Sequence, residues 1–389
     1  MELKGKKVLV TGATGFIGSR LVEVLIEKYN CEISVIVRDF AKLPYISRYP
    51  VKIISGSLDD KLVIEKAVSG VDVIFNLAAA MGGSDEYLRK INVDALENLL
   101  EIALQKKVGK VIHASTLSVY GNPQSGIISE EIPGKYGAGC YGDSKLDGEN
   151  LALSFAKEKS YPAVVIQPTI VYGPFSKMWT IGRINALRKT KVVLIDQGVG
   201  TCNAVYVDDL IQGMICAVLS ENGNGERFLI SGEKTSTWRD FWQSYEEMLQ
   251  IKGEFVSMTL KEAIHFFEET QCPPPFFSQL KNILSDQELR HKIRELTPIK
   301  IPYLFVKKFF PRKISDGLMN QIIEFPDLIN SNCEIEKPLI PLHPDEAAIY
   351  SGIAAVSVEK AQKMINYQPI FDLQAGMKKT EAWAKWFGC

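Results

Sequence analysis

The sequence predicts an α/β protein: a doubly wound parallel sheet with a smaller, interleaved C-terminal lobe. Three observations predict it. An apolar run, Val8-Leu9-Val10, enters a turn with glycines at 12, 15 and 18. Strand-like and helix-like segments then alternate through the first half of the chain. The strand-like runs are almost wholly apolar, which marks strands covered on both faces.

The first run predicts a strand. Leu21, Val22, Leu25 and Ile26 recur at helical spacing, so a helix is expected over 15–27. Further strands are expected over 33–37, 51–54, 71–77, 110–114 and 163–166, with helices over 60–67, 86–105 and 141–158. Right-handed crossovers wind such a series into two layers of helices around one sheet. After Pro174 the rhythm changes. Strands are expected at 205–207 and 227–230, and a helix over 238–249 capped by Ser236 or Thr237. From about 252 to 345 the pattern is irregular and proline-rich, as in Cys272-Pro273-Pro274-Pro275. Closing helices are expected over 356–365 and 373–387. The organisation expected is a sheet domain of 1–174 plus about 204–235. A second lobe takes about 175–203 plus 236–389, with an insertion at about 252–345.

The glycine turn is how a strand hands over to a helix around a pyrophosphate. Glycine allows the sharp turn and the close backbone approach, and the helix N-terminus offers free N–H groups to an anion. Gly198-Val199-Gly200 has similar spacing without that context and reads as a loop. The second apolar run ends at Arg38, where a dinucleotide-binding unit reads the ribose. A guanidinium there suits a 2′-phosphate, which points to NADP; Asp39 beside it keeps NAD open.

Hydrophobic content of 46 % and charged content of 23 % over 389 residues fit a globular protein with a large core. A net charge of −1 argues against general nucleic-acid affinity. The charged start and the lack of a long apolar run predict a cytoplasmic protein. Cysteines 31, 140, 202, 216, 272, 333 and 389 are scattered, as are His113, His265, His291 and His343, so neither a disulfide framework nor a metal site is expected.

Tyr141 and Lys145 stand four residues apart, on one face of a predicted helix. A neighbouring ammonium favours a phenolate and is expected to lower the Tyr141 pKa. Tyr303 and Lys307 repeat the spacing, which alone says little. What precedes Tyr141 lends it weight: Ser115, Thr116 and Ser118 follow an apolar strand, placing hydroxyls at its carboxyl end.

With these motifs in hand, the chain resembles the extended short-chain dehydrogenase/reductase family, in its epimerase/dehydratase branch. The resemblance runs from Lys7 to about Gly232, through Thr11–Gly18, Asn76–Ala79, Asn92-Val93, Thr116…Val119-Tyr120-Gly121, Tyr141…Lys145, Pro168–Pro174 and Val205–Asp208. It implies a Rossmann-type fold and a catalytic set of Thr116, Tyr141 and Lys145. It implies cofactor contacts at Gly12, Thr14, Gly15, Phe16, Ile17, Gly18, Arg38, Ser57, Leu58, Leu77, Ala78, Ala79, Asn92 and Pro168, besides Tyr141 and Lys145. Two departures stand out: Ser57 replaces the usual acid at the adenine, and Gln167 replaces an arginine often found before the Pro-Thr pair.

The resemblance implies hydride transfer between NADP or NAD and a hydroxyl or keto carbon of a nucleotide sugar, and a homodimer through helices near 86–105 and 141–158. Dehydratases of the family carry Asp-Glu after the catalytic threonine. This chain has Leu117-Ser118, which disfavours dehydration. A sugar-nucleotide epimerase, a hydroxysteroid-dehydrogenase-like enzyme and a non-catalytic cofactor sensor are the alternatives. Asp208-Asp209 reads as a helix start favoured by the dipole rather than a metal site. Trp383 and Trp386 read as packing residues. The basic, aromatic stretch 290–313 reads as a helix with one buried face, a membrane contact being the lesser reading.

Overall fold

A computed structural model describes residues 2–137, 139–270 and 336–387. Seven strands form the central sheet: β1 Lys7–Thr11, β2 Glu32–Val37, β3 Val51–Ser55, β4 Val73–Asn76, β5 Lys110–Ala114, β6 Ala163–Pro168 and β7 Arg227–Ile230. Their order is β7-β6-β5-β4-β1-β2-β3, and every pairing within it is parallel. The chain therefore leaves β1 toward one edge, returns, and leaves β4 toward the other. The crevice at this reversal lies at the carboxyl end of β1.

Alternation along the strands divides the core into two layers. Val8, Val10, Val73, Phe75, Ile112, Val164 and Ile166 face helices α1 (Phe16–Tyr29) and α5 (Val207–Leu219). Leu9, Ile74, Val111, Ala163 and Val165 face α2 (Lys61–Val68), α3 (Ala95–Gln105) and α4 (Cys140–Lys159). Both sides being apolar, each strand reads as a continuous hydrophobic run.

The first core layer continues into α6 (Trp238–Leu249), α7 (Leu260–Thr270), α8 (Pro344–Ser351), α9 (Glu359–Ile365) and α10 (Leu373–Phe387). Thr237 caps α6 in a reciprocal pair with Asp240. Arg183 links several of these elements: it donates to the Tyr350 hydroxyl and to Glu346, and lies over the Trp179 and Trp242 rings.

Several boundaries differ from the sequence reading. The single helix expected over 86–105 is a short helix, Asp85–Arg89, a π-type turn, Lys90–Asp94, and then α3. The break lets Asn92 turn inward, where it bonds Ala80 and Ser144. The last closing helix matches the expected span, whereas the one before it starts only at Glu359. Trp383 packs against Phe175, but Trp386 is 79 % exposed in the final turn and packs no core. The stretch 290–313 and the Tyr303/Lys307 pair lie outside the described residues. Among those described, no helix is long and apolar enough to cross a membrane.

Asp208 and Asp209 open α5. Asp208 receives a bidentate contact from Arg20 at 2.7 and 2.9 Å. Buried Asp209 accepts the Ile370 and Phe371 amides, both at 3.0 Å, tying the segment before α10 to the sheet domain. Asp209→Ala removes the acceptor of two partly buried amides, so urea unfolding is expected to show a loss of about 1–2 kcal/mol.

Candidate active site at the carboxyl end of the sheet

The site is built from the turn after β1. Thr11, the last residue of β1, donates to the Asn76 side chain at 2.6 Å and accepts the Leu77 and Ala78 amides at 3.1 Å. One hydroxyl thus joins β1 to the loop leaving β4. Gly12 follows at φ +67°, and a Cβ there would lie 2.8 Å from backbone atoms of Leu77 and Ala78. A Cβ on Gly18 would lie 2.2 Å from the Gly12 carbonyl oxygen. Gly15 caps α1 without a side-chain acceptor, and the first turn of α1 carries no acid. The cradle therefore keeps its backbone N–H groups and positive dipole end for an anion. It fits the pyrophosphate of a dinucleotide, with Thr14, Phe16 and Ile17 in the same turn.

Arg38 lies just beyond β2, exposed, with its guanidinium donating to the Tyr87 hydroxyl at 2.9 Å. Asp39 turns its carboxylate to the Ala41 amide and stands 3.8 Å from Lys42. After β3, Ser57 bonds Asp59, whose carboxyl is held low chiefly by Lys90 at 2.7 Å. Leu58 is buried beside it. Tyr87 and Lys90 both belong to the chain leaving the β4 loop, so this segment crosses the ends of β2 and β3. Neither cross-link is legible in the sequence, because they join residues far apart along it. Leu77, Ala78 and Ala79 form the β4 loop; the Asn92 amide is committed to Ala80 and Ser144, which fixes that loop.

Thr116, just beyond β5, caps the single turn Leu117–Tyr120 through its hydroxyl. Tyr141 opens α4, and its phenol shares a hydrogen bond with Thr116. Lys145, only 2 % exposed, donates to the Ala114 carbonyl at 2.6 Å. Thr116, Tyr141 and Lys145 are thus brought together at the end of β5, with Pro168 at the end of neighbouring β6.

The electrostatics differ from the sequence reading. Burial pushes the Tyr141 phenol up, with the Thr116 bond opposing, whereas the sequence spacing predicts a lowering by Lys145. The reason is that the ammonium is turned to Ala114 and is itself destabilised: burial pushes Lys145 down to about 8. Beneath it, burial and then the Lys145 charge hold His113 well below the usual imidazole range. Its Nδ1 accepts from the Asn76 amide at 3.1 Å, which fits the neutral ring. A phenol kept protonated at neutral pH is a proton donor.

Comparison with known proteins adds to this geometry. Residues 8–231 match the model of the NAD dependent epimerase/dehydratase family. A UDP-N-acetyl-alpha-D-glucosaminuronate decarboxylase of Bacillus cytotoxicus is 29 % identical over 301 residues, 72 % of this chain and 91 % of that protein. A 3beta-hydroxysteroid-dehydrogenase/decarboxylase of Arabidopsis thaliana is 23 % identical over 391 residues, 96 % of this chain and 78 % of that protein. The crystal structure of a Bacillus cereus UDP-glucuronic acid 4-epimerase in complex with NAD superposes with a TM-score of 0.66 at 21 % identity, over 97 % of this chain and 96 % of that one.

The cradle makes its own test. Gly18→Ala forces a methyl onto the Gly12 carbonyl, and a stability loss of about 1–3 kcal/mol is expected in denaturant unfolding; unchanged stability would mean the turn gives way easily.

Proposed function

Because the chain belongs to the NAD dependent epimerase/dehydratase family, we propose that it is an NAD(P)-dependent oxidoreductase acting at a hydroxyl or keto carbon of a nucleotide-activated sugar. One observation carries the reading: Thr116, Tyr141 and Lys145 converge at the end of β5, two strands from the glycine cradle. In this reading Thr116 and Tyr141 hold the substrate oxygen. Tyr141 gives its proton to that oxygen as a ketone is reduced and takes it back in the reverse direction. Lys145 binds the nicotinamide ribose. The glycine turn with Thr14, Phe16 and Ile17 holds the pyrophosphate, while Ser57, Leu58, Leu77, Ala78, Ala79 and Pro168 line the rest of the cofactor site. The cofactor, when bound, supplies or accepts the hydride.

The nucleotide-sugar substrate is supported by the Bacillus cytotoxicus relative, whose name specifies a UDP-linked sugar acid. A hydrophobic alcohol is the second reading, favoured by the hydroxysteroid dehydrogenase's alignment over nearly all of this chain. Epimerisation through a transient ketone would use the same three residues with a retained NAD. Arg38 supports NADP as the cofactor: it places a guanidinium just beyond β2, held by the Tyr87 hydroxyl, where a dinucleotide-binding unit reads the ribose, while the neighbouring carboxylate of Asp39 is committed to Ala41. A cytoplasmic homodimer paired through α3 and α4 completes the proposal, and light scattering tests the dimer.

Three outcomes are expected. Tyr141→Phe loses turnover with keto-sugar nucleotides and hydrophobic ketones as test substrates, while fluorescence titration still shows dinucleotide binding; retained turnover would remove the catalytic role. Arg38→Ala weakens NADPH at least about tenfold more than NADH, the worth of one charge-assisted contact; equal weakening would remove the case for NADP. Mass spectrometry of nucleotide released on denaturation is expected to find little NAD, whereas stoichiometric NAD would select the epimerase.

A further inference from the structure

Behind Lys145 lies a buried polar network that the proposed reaction leaves unused. Glu149 follows Lys145 by one helical turn on α4 and is 0 % exposed. Both its carboxylate oxygens accept from Gln167 Nε2 at 2.9 Å, and Oε1 also accepts from Arg227 Nη1 at 2.9 Å. Gln167 Oε1 in turn accepts from the Tyr120 hydroxyl at 2.9 Å. Tyr120 closes the turn that Thr116 caps. Arg227 Nη2 spans to the carbonyls of Glu130 and Ile132, at 2.7 and 3.0 Å. A carboxylate this deep is costly unless it is paired and fully hydrogen-bonded, and replacing such a pair by apolar groups often stabilises a protein. Retaining it in this place asks for a reason beyond folding.

Residues 145 and 149 share one helix face. The network ties that face to β6 through Gln167, to β7 through Arg227, and to the Thr116 turn through Tyr120. We infer that Glu149 is a positioning residue: it locks the helix face bearing Tyr141 and Lys145 to the turn bearing Thr116, and sets a fixed negative charge beside the Lys145 ammonium. The role given to Lys145 rests on the function proposed above. The network also accounts for Gln167. The guanidinium that partners the buried carboxylate comes from β7, so position 167 is free to be a neutral bridge.

The other groups around Lys145 act in known directions. From β5, His113 is held neutral. Thr116 and Tyr141 form an uncharged pair at neutral pH. Beyond Glu149, Tyr120 is pushed up to about 12, chiefly by burial, and remains protonated. Arg227 is positive, and burial raises the Glu130 carboxyl, with Lys360 of α9 opposing. Asp147 and Arg89 stand 3.9 Å apart on the outer side of α4, open to solvent. Glu149 is the negative charge that holds Lys145 up against its burial.

The test is a pH titration of the full-length protein with 13C-labelled lysine, following the Lys145 Cε resonance assigned by Lys145→Arg. A midpoint near 8 is expected. Glu149→Gln should lower it by about one pH unit, the scale of losing one close opposite charge. A Glu149→Gln protein that folds and titrates as the parent does overturns the inference. Should that variant fail to fold, Glu149→Asp decides: the withdrawn carboxylate should lower the midpoint by less, and an unchanged midpoint overturns the inference. The amine titration needs no substrate. Absence of turnover in the parent enzyme would therefore count against the proposed function and leave this result standing.

Discussion

The site depends on one close approach, that of the backbone after β1 to the backbone after β4. These strands are neighbours in the sheet, yet the chain leaves them in opposite directions. A crevice opens where such paths diverge, and its floor is only as well defined as the contact between the two departing loops. Here that contact is made by the Thr11 hydroxyl, which takes two amides of the β4 loop, and by Gly12, which has no side chain to hold the loops apart. The threonine satisfies backbone groups that would otherwise be stranded between strands. Its first partner, Asn76, passes the constraint on to His113 in β5. A line of short polar contacts thus runs under the crevice from the cradle to the residues around Lys145.

The second region of order is electrostatic. Lys145, Glu149 and Arg227 form an alternating row of charges, all largely withdrawn from water. Such a row is stable only when each charge has fixed partners, because the low dielectric that strengthens attraction also magnifies any mismatch. The neutral groups in the row, Gln167 and Tyr120, do what charges could not do there. They satisfy lone pairs and protons without adding to the field. This is why a phenol and an amine can share a buried corner with a neutral imidazole, each in a defined protonation state.

Much of this is legible in the sequence, and the failures have specific causes. Apolar runs without alternation mark the parallel sheet, because strands buried on both faces cannot alternate. The glycine spacing and the Tyr141–Lys145 pair mark the cradle and the corner at the end of β5, because both are local. The helix over 86–105 reads as continuous, since periodicity continues across Lys90–Asp94 and the inward turn of Asn92 is driven by partners at 80 and 144. The direction of the Tyr141 shift is misjudged from spacing because burial, invisible in sequence, outweighs a neighbouring charge. The meaning of Gln167 is closed to sequence reading, for its explanation stands 60 positions later on another strand, at Arg227. Long-range partners of this kind leave no trace in spacing.

The described residues on either side of 271–335 are held to one surface. Before it, Phe267 of α7 packs against His343, just ahead of α8. After it, Glu336 pairs with Lys191, Lys337 with Glu254, and Arg183 grips α8. These contacts bring residues 76 positions apart, Phe267 and His343, against each other. For protein engineering this makes α7 and α8 the two sides of one seam, so that a substitution at Phe267 is felt at His343.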